Sequence, residues 1–236
     1  MLPYDQTLAW LYAHADETYR EFHKKLLKDP TIQVIGVKVP VLRAFAKKWK
    51  EDWRKLLTFP DVYYEITFLK CTAVGMLPFR EFCGAVDGVV ALLDNWATCD
   101  CFRAPCIQKH REDFMPYLEK YLKSEREFTR RFGLVTLLHS YMSEAYLPLI
   151  FKSIREACGR EYYVTMAAAW LLAEVLVKFY DEGIAFLRET DLSKDVRLKA
   201  VQKARESYRL TSEQKSELLQ YKNQLGKIVD KHPKIG

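Results

Sequence analysis

The sequence predicts an all-α protein built from helical repeats. Apolar residues recur at steps of three and four along most of the 236-residue chain, which is typical of amphipathic helices. Only nine Gly and nine Pro are present, few for a turn-rich all-β protein. The helical stretches are short, follow one another closely and lack Gly-rich linkers. We therefore expect a curved α-solenoid with a concave basic cleft, or a compact array of the same helices.

The element boundaries follow from the apolar periodicity and from the residues that interrupt it. The predicted helices lie at about 5–28, 40–49, 51–58, 60–75, 79–92, 95–109, 111–122, 125–141, 144–157, 161–178, 194–208 and 211–225. Ile32–Val39 is β-branched but short, and we interpret it as an extended connector. Pro116 is expected to mark a break. We expect a single domain over residues 1–236, with 226–236 as a frayed basic tail.

Composition limits the classes of function without choosing one. The formal charge is +6 with a pI near 8.9, which permits a polyanionic partner without requiring one. The N-terminal residues lack the pattern of a signal peptide, and the most apolar run, Val164–Val177, is too short to span a bilayer. We expect a soluble, cytoplasmic protein that has no membrane partner and is a monomer.

Three of the six cysteines, Cys99, Cys101 and Cys106, lie close together in the sequence, with His110 nearby. The C-x-C-x4-C spacing is not one that zinc sites use. With no export signal, free thiols are the better interpretation than disulfides, and small buried apolar side chains the better one than ligands. We therefore expect neither a metal nor another cofactor.

The segment Asp94–Asp100 carries the most informative pattern. Asn95 is a helix-start residue, and Trp96 and Asp100 are one turn apart, so they share a helix face. Arg131 lies 35 residues after Trp96, and Trp170 lies 39 residues after Arg131, which is the period of a two-helix repeat. Two aromatic rings, a carboxylate and a guanidinium at repeat spacing would form a cleft for a cationic ligand that bears phosphate.

Each of these residues also has a simpler interpretation. Trp96 and Trp170 could be core residues, since Trp is highly buried on average. Asp100 could be a surface carboxylate, although Cys99, Cys101, Phe102 and Ala104 surround it with apolar sequence. Arg131, with Arg126 and Arg130, could belong to a solvated helix start.

Five segments of the chain form a pattern in their order and spacing: N-W-x-x-x-D (95–100), R-R-F-G (130–133), Y-Y-V-x-M-A-x-A-W (162–170), G-V-K-V-P-V-L-R (36–43), and Gln202-Lys203 with Glu206-Ser207. Together they resemble the DNA alkylation repair family of HEAT-like repeat proteins. The resemblance covers nearly the whole chain. It implies a HEAT-like solenoid and a monofunctional glycosylase that excises cationic N3- and N7-alkylpurines from double-stranded DNA without flipping the base, located in the bacterial cytosol and nucleoid.

The resemblance also assigns roles to residues of this chain. Asp100 is implied to be the catalytic carboxylate, with Trp96 and Trp170 as cleft aromatic residues. Arg131 is implied to bind DNA phosphate, and we add Arg130 and Lys38 to this contact. Lys38 stands where the resemblance leads us to expect Gln.

A second departure concerns the N-terminal segment. Active members carry a separate short helix directly before the Gly-x-x-x-Pro segment, whereas the periodicity predicts one helix over 5–28 followed by a loop over 28–35. Two other functions therefore stay open. One is a DNA-binding paralogue with weak or no activity; the other is a scaffold whose groove holds a helix or an acidic peptide.

Overall fold

The computed structural model describes residues 3–27, 29–189 and 191–229. Fourteen α-helices lie in this part of the chain, and three short 3-10 helices accompany them at Lys50–Asp52, Pro105–Lys109 and Glu144–Tyr146. The α-helices are α1 (Tyr4–Ala13), α2 (Glu17–Leu27), α3 (Val39–Lys48), α4 (Trp53–Leu57), α5 (Tyr64–Gly75), α6 (Phe79–Val90), α7 (Trp96–Cys101), α8 (Arg111–Leu122), α9 (Glu127–Ser140), α10 (Leu147–Ala157), α11 (Tyr162–Lys178), α12 (Tyr180–Leu187), α13 (Lys194–Glu206) and α14 (Ser212–Val229). The all-α prediction is confirmed.

The chain packs as two compact units, Met1–Phe132 and Gly133–Gly236, with the boundary inside α9. In the first unit, α5 is the central element and packs against α3, α4, α6 and α7. Its residues are buried almost without exception, and this includes its polar members Glu65, Thr67 and Lys70. In the second unit, α11 packs against α10, α12 and α13.

Polar contacts between helices recur at the spacing of a helical repeat. In the first unit, Tyr121 donates to Asp87 across 34 residues and Arg126 donates to the Ala91 carbonyl across 35. In the second, Arg209 donates to Glu174 across 35 residues. Such contacts are expected when each helix pair stacks on the next one along the chain. The helical-repeat prediction is confirmed within each unit.

The predicted helix over 5–28 is wrong, because two helices occupy this segment. α1 ends at Ala13 and α2 begins at Glu17. The Asp16 side chain accepts a hydrogen bond from the Tyr19 N–H at 2.9 Å, as the N-terminal cap of α2 does. The backbone N–H of Asp16 donates to the Gly36 carbonyl at 3.0 Å, which also fixes the turn between the helices. The described residues 29–35 contain no helix, as predicted.

Three further boundaries differ from prediction. The helix predicted over 95–109 ends at Cys101, where Phe102 takes an extended backbone, and Pro105 begins a separate 3-10 helix. Pro116 lies inside α8 and does not break it. The prediction left residues 179–193 without a helix, whereas α12 follows α11 after a single residue, Phe179.

The connector predicted over Ile32–Val39 contains no strand among the described residues. Gln33 makes an isolated parallel bridge to Tyr63, and residues 34–38 have no regular secondary structure before α3 begins. Residues 226–229 belong to α14, whereas the rest of the predicted tail, 230–236, lies outside the described residues. Among the helices of the described residues, none has the length and apolar character needed to cross a membrane.

Candidate active site

The candidate site is built on the short helix α7, which starts at a capped position. The Asn95 side chain accepts a hydrogen bond from the Thr98 N–H at 2.8 Å, and its amide donates to Asp94 at 2.7 Å. The cap fixes where the helix begins. Trp96 is then the first helical residue and Asp100 lies one turn later, so the predicted common face is confirmed. Both residues are half-buried.

Helix α9 holds α7 through three contacts. Phe102, which follows α7, stacks on Phe132 with ring centroids 4.9 Å apart. The Cys99 thiol is within 3.7 Å of the Phe128 carbonyl oxygen. Between these two contacts, Asp100 meets Arg131. The ring stack on one side and the thiol contact on the other therefore determine where the charged pair forms.

The pair between Arg131 and Asp100 is bidentate. Nε of Arg131 donates to one carboxylate oxygen at 2.8 Å, and a terminal guanidinium nitrogen donates to the other at 2.7 Å. The Arg131 side chain is only 6% exposed and that of Asp100 17%, so water screens the pair weakly. Burial alone lowers the pKa of the guanidinium, but its hydrogen bonds and attraction to Asp100 outweigh that effect and the pKa is raised.

The end of α7 rests on a close backbone approach at Gly75, the last residue of α5. A Cβ atom at this position would lie 2.2 Å from the Arg103 carbonyl oxygen. Only glycine lets residues 102–104 pass this close to α5. The turn in the chain after Cys101, and with it the position of Asp100, therefore depends on Gly75.

The other two residues that we expect to bind phosphate are both engaged with carboxylates. Arg130 is 4% exposed, and a terminal nitrogen lies 3.3 Å from Glu125. Because Arg130 and Arg131 are both buried, the interpretation of these residues as part of a solvated helix start is wrong. Lys38 is exposed and its ammonium lies 2.8 Å from Asp16, whose pKa it lowers through this hydrogen bond. Binding of phosphate by these residues stays a prediction.

Lys38 is positioned by a carboxylate that the sequence analysis did not single out. Glu65, on α5, is fully buried and accepts hydrogen bonds from the backbone N–H groups of Ile35, Gly36 and Val37 at 3.0, 2.8 and 3.3 Å. Burial raises the pKa of Glu65 against the lowering effect of these three donors. Gly36 has φ of +103°, and a Cβ there would lie 2.7 Å from Arg20 Cβ.

Trp170 lies in the second unit, on α11. It is half-buried, and His139 meets its ring edge-to-face at 5.9 Å between centroids. The three residues before it, Ala167–Ala169, are fully buried, as expected if small side chains permit close helix packing.

The cysteines near the site are free thiols. Cys99 is fully buried, and burial raises its pKa well above the ordinary value. Burial also raises the pKa of Cys101, against the lowering effect of the Arg43 guanidinium beside it. No group of three His, Cys, Asp or Glu in the described part of the chain is arranged to hold a metal ion.

A known protein family matches most of the chain, including the candidate site. The sequence model of the DNA alkylation repair enzyme family matches residues 7–209. The chain belongs to the DNA alkylation repair enzyme family. The match spans every residue proposed above for the site, from Lys38 to Trp170, and the suspected resemblance is confirmed. A comparison with curated proteins finds no match. Membership in the DNA alkylation repair family gives the protein a role in DNA repair, with DNA as its general partner.

Three further residues of the site region were not predicted, and two of them, Glu65 and Arg43, carry a signal in the sequence. Glu65 is the one acidic residue of the mostly apolar helix α5, which signals a buried carboxylate with a specific partner. Arg43 stands at the end of the G-V-K-V-P-V-L-R segment and lies beside Cys101 in the structure. His139 carries no such signal, because its contact with Trp170 depends on how α9 and α11 pack.

Proposed function

We propose that the protein is a monofunctional DNA glycosylase that hydrolyses the N-glycosidic bond of cationic N3- and N7-alkylpurines in double-stranded DNA, without flipping the base. The observation that carries the proposal is the carboxylate of Asp100. It accepts two hydrogen bonds from Arg131 and lies one helical turn from Trp96, in a protein of the DNA alkylation repair family.

The chemistry suits a single carboxylate. A cationic base departs with the bonding electrons as a neutral purine, so no strong general acid is needed. The sugar is left as an oxocarbenium-like cation, which a negative charge nearby stabilises. Water then attacks the sugar and loses a proton. A carboxylate bound by two hydrogen bonds still has lone pairs that can accept one from this water.

Because Asp100 is paired with Arg131, we expect its electrostatic effect on the sugar to depend on whether DNA is bound. While the guanidinium sits on both oxygens, the pair is close to neutral and would stabilise a cationic sugar weakly. A phosphate also accepts bidentate hydrogen bonds from arginine and carries its own negative charge. We expect DNA phosphate to draw Arg131 partly away from Asp100, so that the carboxylate gains effective charge only when substrate is bound.

The two tryptophans supply the second part of the proposal. A cation over an indole face is attracted by the ring quadrupole, by about 0.5–2 kcal/mol. Trp96 on α7 and Trp170 on α11 are each half-buried, which leaves ring surface for a ligand. In the proposed mechanism they stabilise the cationic base and the developing sugar cation.

The deciding experiment measures release of free methylpurines from a methylated DNA duplex by the wild type and by Asp100→Asn. We expect the wild type to release both N3-methyladenine and N7-methylguanine, without cutting the strand. Asp100→Asn should lower the rate by about 10²–10³, the usual loss when one transition-state stabiliser is removed. Equal rates for the two proteins would overturn the assignment of Asp100.

The controls separate chemistry from folding. Asp87→Asn also removes a carboxylate that pairs with a cation on another helix, Lys120, but has no part in the proposed reaction. It should release methylpurines at the wild-type rate. Since Asp100→Asn removes the carboxylate charge that faces Arg131, folding and duplex binding are measured for the same variant. A folded Asp100→Asn protein that binds the duplex like the wild type but releases no purine assigns the loss to the carboxylate.

A second candidate is a family member that binds DNA weakly and does not excise. The observation that favours it is the segment 29–35, which contains no helix and is held at its end by the hydrogen bond from Ile35 to the buried carboxylate of Glu65. This candidate predicts no release by the wild type, together with duplex binding that weakens steeply as salt is raised. Absence of salt-dependent binding would instead favour the scaffold.

A further inference from the structure

A groove between α1 and α3, outside the proposed active site, has the lining of a ligand site. Its volume is about 510 Å³, within the range of about 300–1,000 Å³ that small-molecule sites occupy. The lining residues are Trp10, His14, Pro40, Val41, Ala44, Phe45, Lys48 and Trp49. Four of these eight side chains are aromatic rings, an unusual concentration for a partly exposed surface.

The rings form an aromatic cluster in which one pair is stacked. His14 stacks on Trp10 with centroids 3.9 Å apart, and Phe45 is tilted against the same indole at 4.5 Å. Trp49 continues the cluster, tilted against Phe45 at 6.4 Å. Phe45 belongs to the core, whereas His14 is exposed and both indoles are half-buried. A planar ligand can therefore pack against the ring surface that faces solvent.

The polar groups of the groove favour an anion. Lys48 is exposed, its ammonium lies 5.4 Å from the Trp49 ring centroid, and it has no carboxylate partner among the described residues. His14 Nδ1 lies 2.8 Å from the Trp10 carbonyl, which can only accept, so Nδ1 carries the hydrogen. Nε2 is then a hydrogen-bond acceptor, so the attraction for an anion comes from Lys48 alone. The described residues that line the groove include no carboxylate.

We propose that this groove binds an unpaired nucleotide of single-stranded DNA, with the base on the aromatic cluster and its phosphate on Lys48. Proteins that bind single strands combine aromatic platforms with basic groups along the backbone, and this groove has both. One ammonium in a groove open to solvent suits a strand that passes through better than a free nucleotide, whose phosphate needs several donors. The cation also favours DNA over a proline-rich peptide, which would use the rings alone. This site is independent of the proposed glycosylase activity.

The test is fluorescence anisotropy with a labelled single-stranded dT12 and the full-length protein. We expect Trp49→Ala to weaken binding about tenfold, the loss of one stacked base. Lys48→Gln should reduce the slope of log K against log salt by about 0.7, the value for one phosphate on a single strand. Lys47→Gln removes the same charge from the same turn of α3 but lies outside the groove lining, and it should keep the wild-type slope.

Two further ligands sharpen the result. A twelve-residue abasic strand has the same phosphates without bases, so it should bind more weakly than dT12 and be insensitive to Trp49→Ala. Equal binding of the two strands, or equal effects of Lys47→Gln and Lys48→Gln, would overturn the proposal. So would a proline-rich peptide that binds in a Trp49-dependent way while dT12 does not. Should Trp49→Ala not fold, as judged by circular dichroism, the surface variant Lys48→Gln still decides.

Discussion

Arg131 holds Asp100 by both carboxylate oxygens, at 2.8 and 2.7 Å, and the two residues come from different helices, α9 and α7. A paired charge that is nearly buried is tolerated only while its partner is present, because desolvation of a lone charge is costly. The proposed catalytic carboxylate is therefore also a structural residue. Stability and activity have to be measured together at this position.

The first prediction concerns the stability of this pair. Arg131→Ala leaves Asp100 without its counter-charge, and we expect the free energy of unfolding to fall by about 3 kcal/mol. Arg131→Lys keeps the charge but not the planar fork, so its loss should be smaller. Urea unfolding at pH 7.5 measures both.

The matched control is the pair of Asp87 with Lys120, whose side chains are half-exposed. Lys120→Ala should lower the free energy of unfolding by about 1 kcal/mol or less, as exposed pairs do. A loss in Arg131→Ala no larger than that in Lys120→Ala would show that the buried pair is not stabilised in the way argued here.

The second prediction concerns Gly75. A Cβ at this position would lie 2.2 Å from the Arg103 carbonyl, so Gly75→Ala forces the chain after α7 to move. We expect a loss of about 1–3 kcal/mol from the overpacked contact, together with lower methylpurine release because Asp100 is displaced. Thermal unfolding and the excision assay measure these two effects.

Gly84→Ala and Gly88→Ala on α6 are the controls, since an added Cβ at either position meets nothing within 4 Å. Alanine favours the helix interior over glycine by about 1 kcal/mol, so these variants should be as stable as the wild type or more stable. If Gly75→Ala behaves in the same way as these two, the backbone contact does not constrain α7.

The sequence predicted the local part of the site and not its long-range part. The Asn95 cap and the common face of Trp96 and Asp100 follow from neighbours within one turn, and the structure confirms both. The pairing of Arg131 with Asp100 depends on how α7 packs on α9, which Gly75 and the Phe102–Phe132 stack determine. No spacing rule contains that information.

The difference between local and long-range information also explains the errors in the predicted helix boundaries. The predicted helix over 5–28 joined α1 and α2 across residues 14–16, although Asp16 directly before Glu17 is a usable capping signal. The predicted helix over 95–109 ran through Pro105, whereas α7 ends at Cys101. Close backbone contact with α5, rather than the proline, ends the helix at Cys101.

The third prediction concerns the Glu65 clamp on the connector. Glu65→Gln replaces one acceptor oxygen by an amide that can only donate, so at least one of the three backbone N–H groups loses its partner. We expect a loss of about 1–3 kcal/mol, the cost of an unsatisfied buried group. Amide hydrogen exchange at residues 35–37 should also become faster.

Glu81 provides the comparison, because its carboxylate pairs with Arg54 on the surface. Glu81→Gln should change the free energy of unfolding by about 0.5 kcal/mol or less. Unchanged exchange at residues 35–37 in Glu65→Gln would mean that the connector is held by its apolar contacts and not by the carboxylate.

The fourth prediction is a pH dependence that originates at His23 on α2. Its side chain is 3% exposed and packs between Tyr19 and Tyr64, with ring centroids 5.4 and 4.4 Å away. Nε2 has no hydrogen-bond partner in the described structure. Burial lowers the pKa of His23, because the imidazolium would be a cation in an apolar setting.

The lowered pKa fixes the sign of the effect. Above the unfolded pKa of about 6.5, His23 is neutral in both states and folding is unaffected. As the pH falls below that value, the unfolded chain binds a proton that the folded chain does not, so stability decreases by up to about 1.4 kcal/mol per pH unit. The decrease ends once the folded pKa is reached. Urea unfolding of the wild type at pH 7.5, 6.5 and 5.5 measures it.

His23→Phe isolates this contribution, because it keeps an aromatic ring between Tyr19 and Tyr64 but cannot bind a proton. At pH 7.5 we expect the variant to be as stable as the wild type or more stable, since it removes an unpartnered nitrogen. Between pH 6.5 and 5.5 the wild type should lose more stability than the variant, and the difference is the share of His23. If the free energy of unfolding changes with pH in the same way in both proteins, the buried imidazole takes up its proton without cost. The packing of α2 on α5 would then have to be looser than the ring distances indicate.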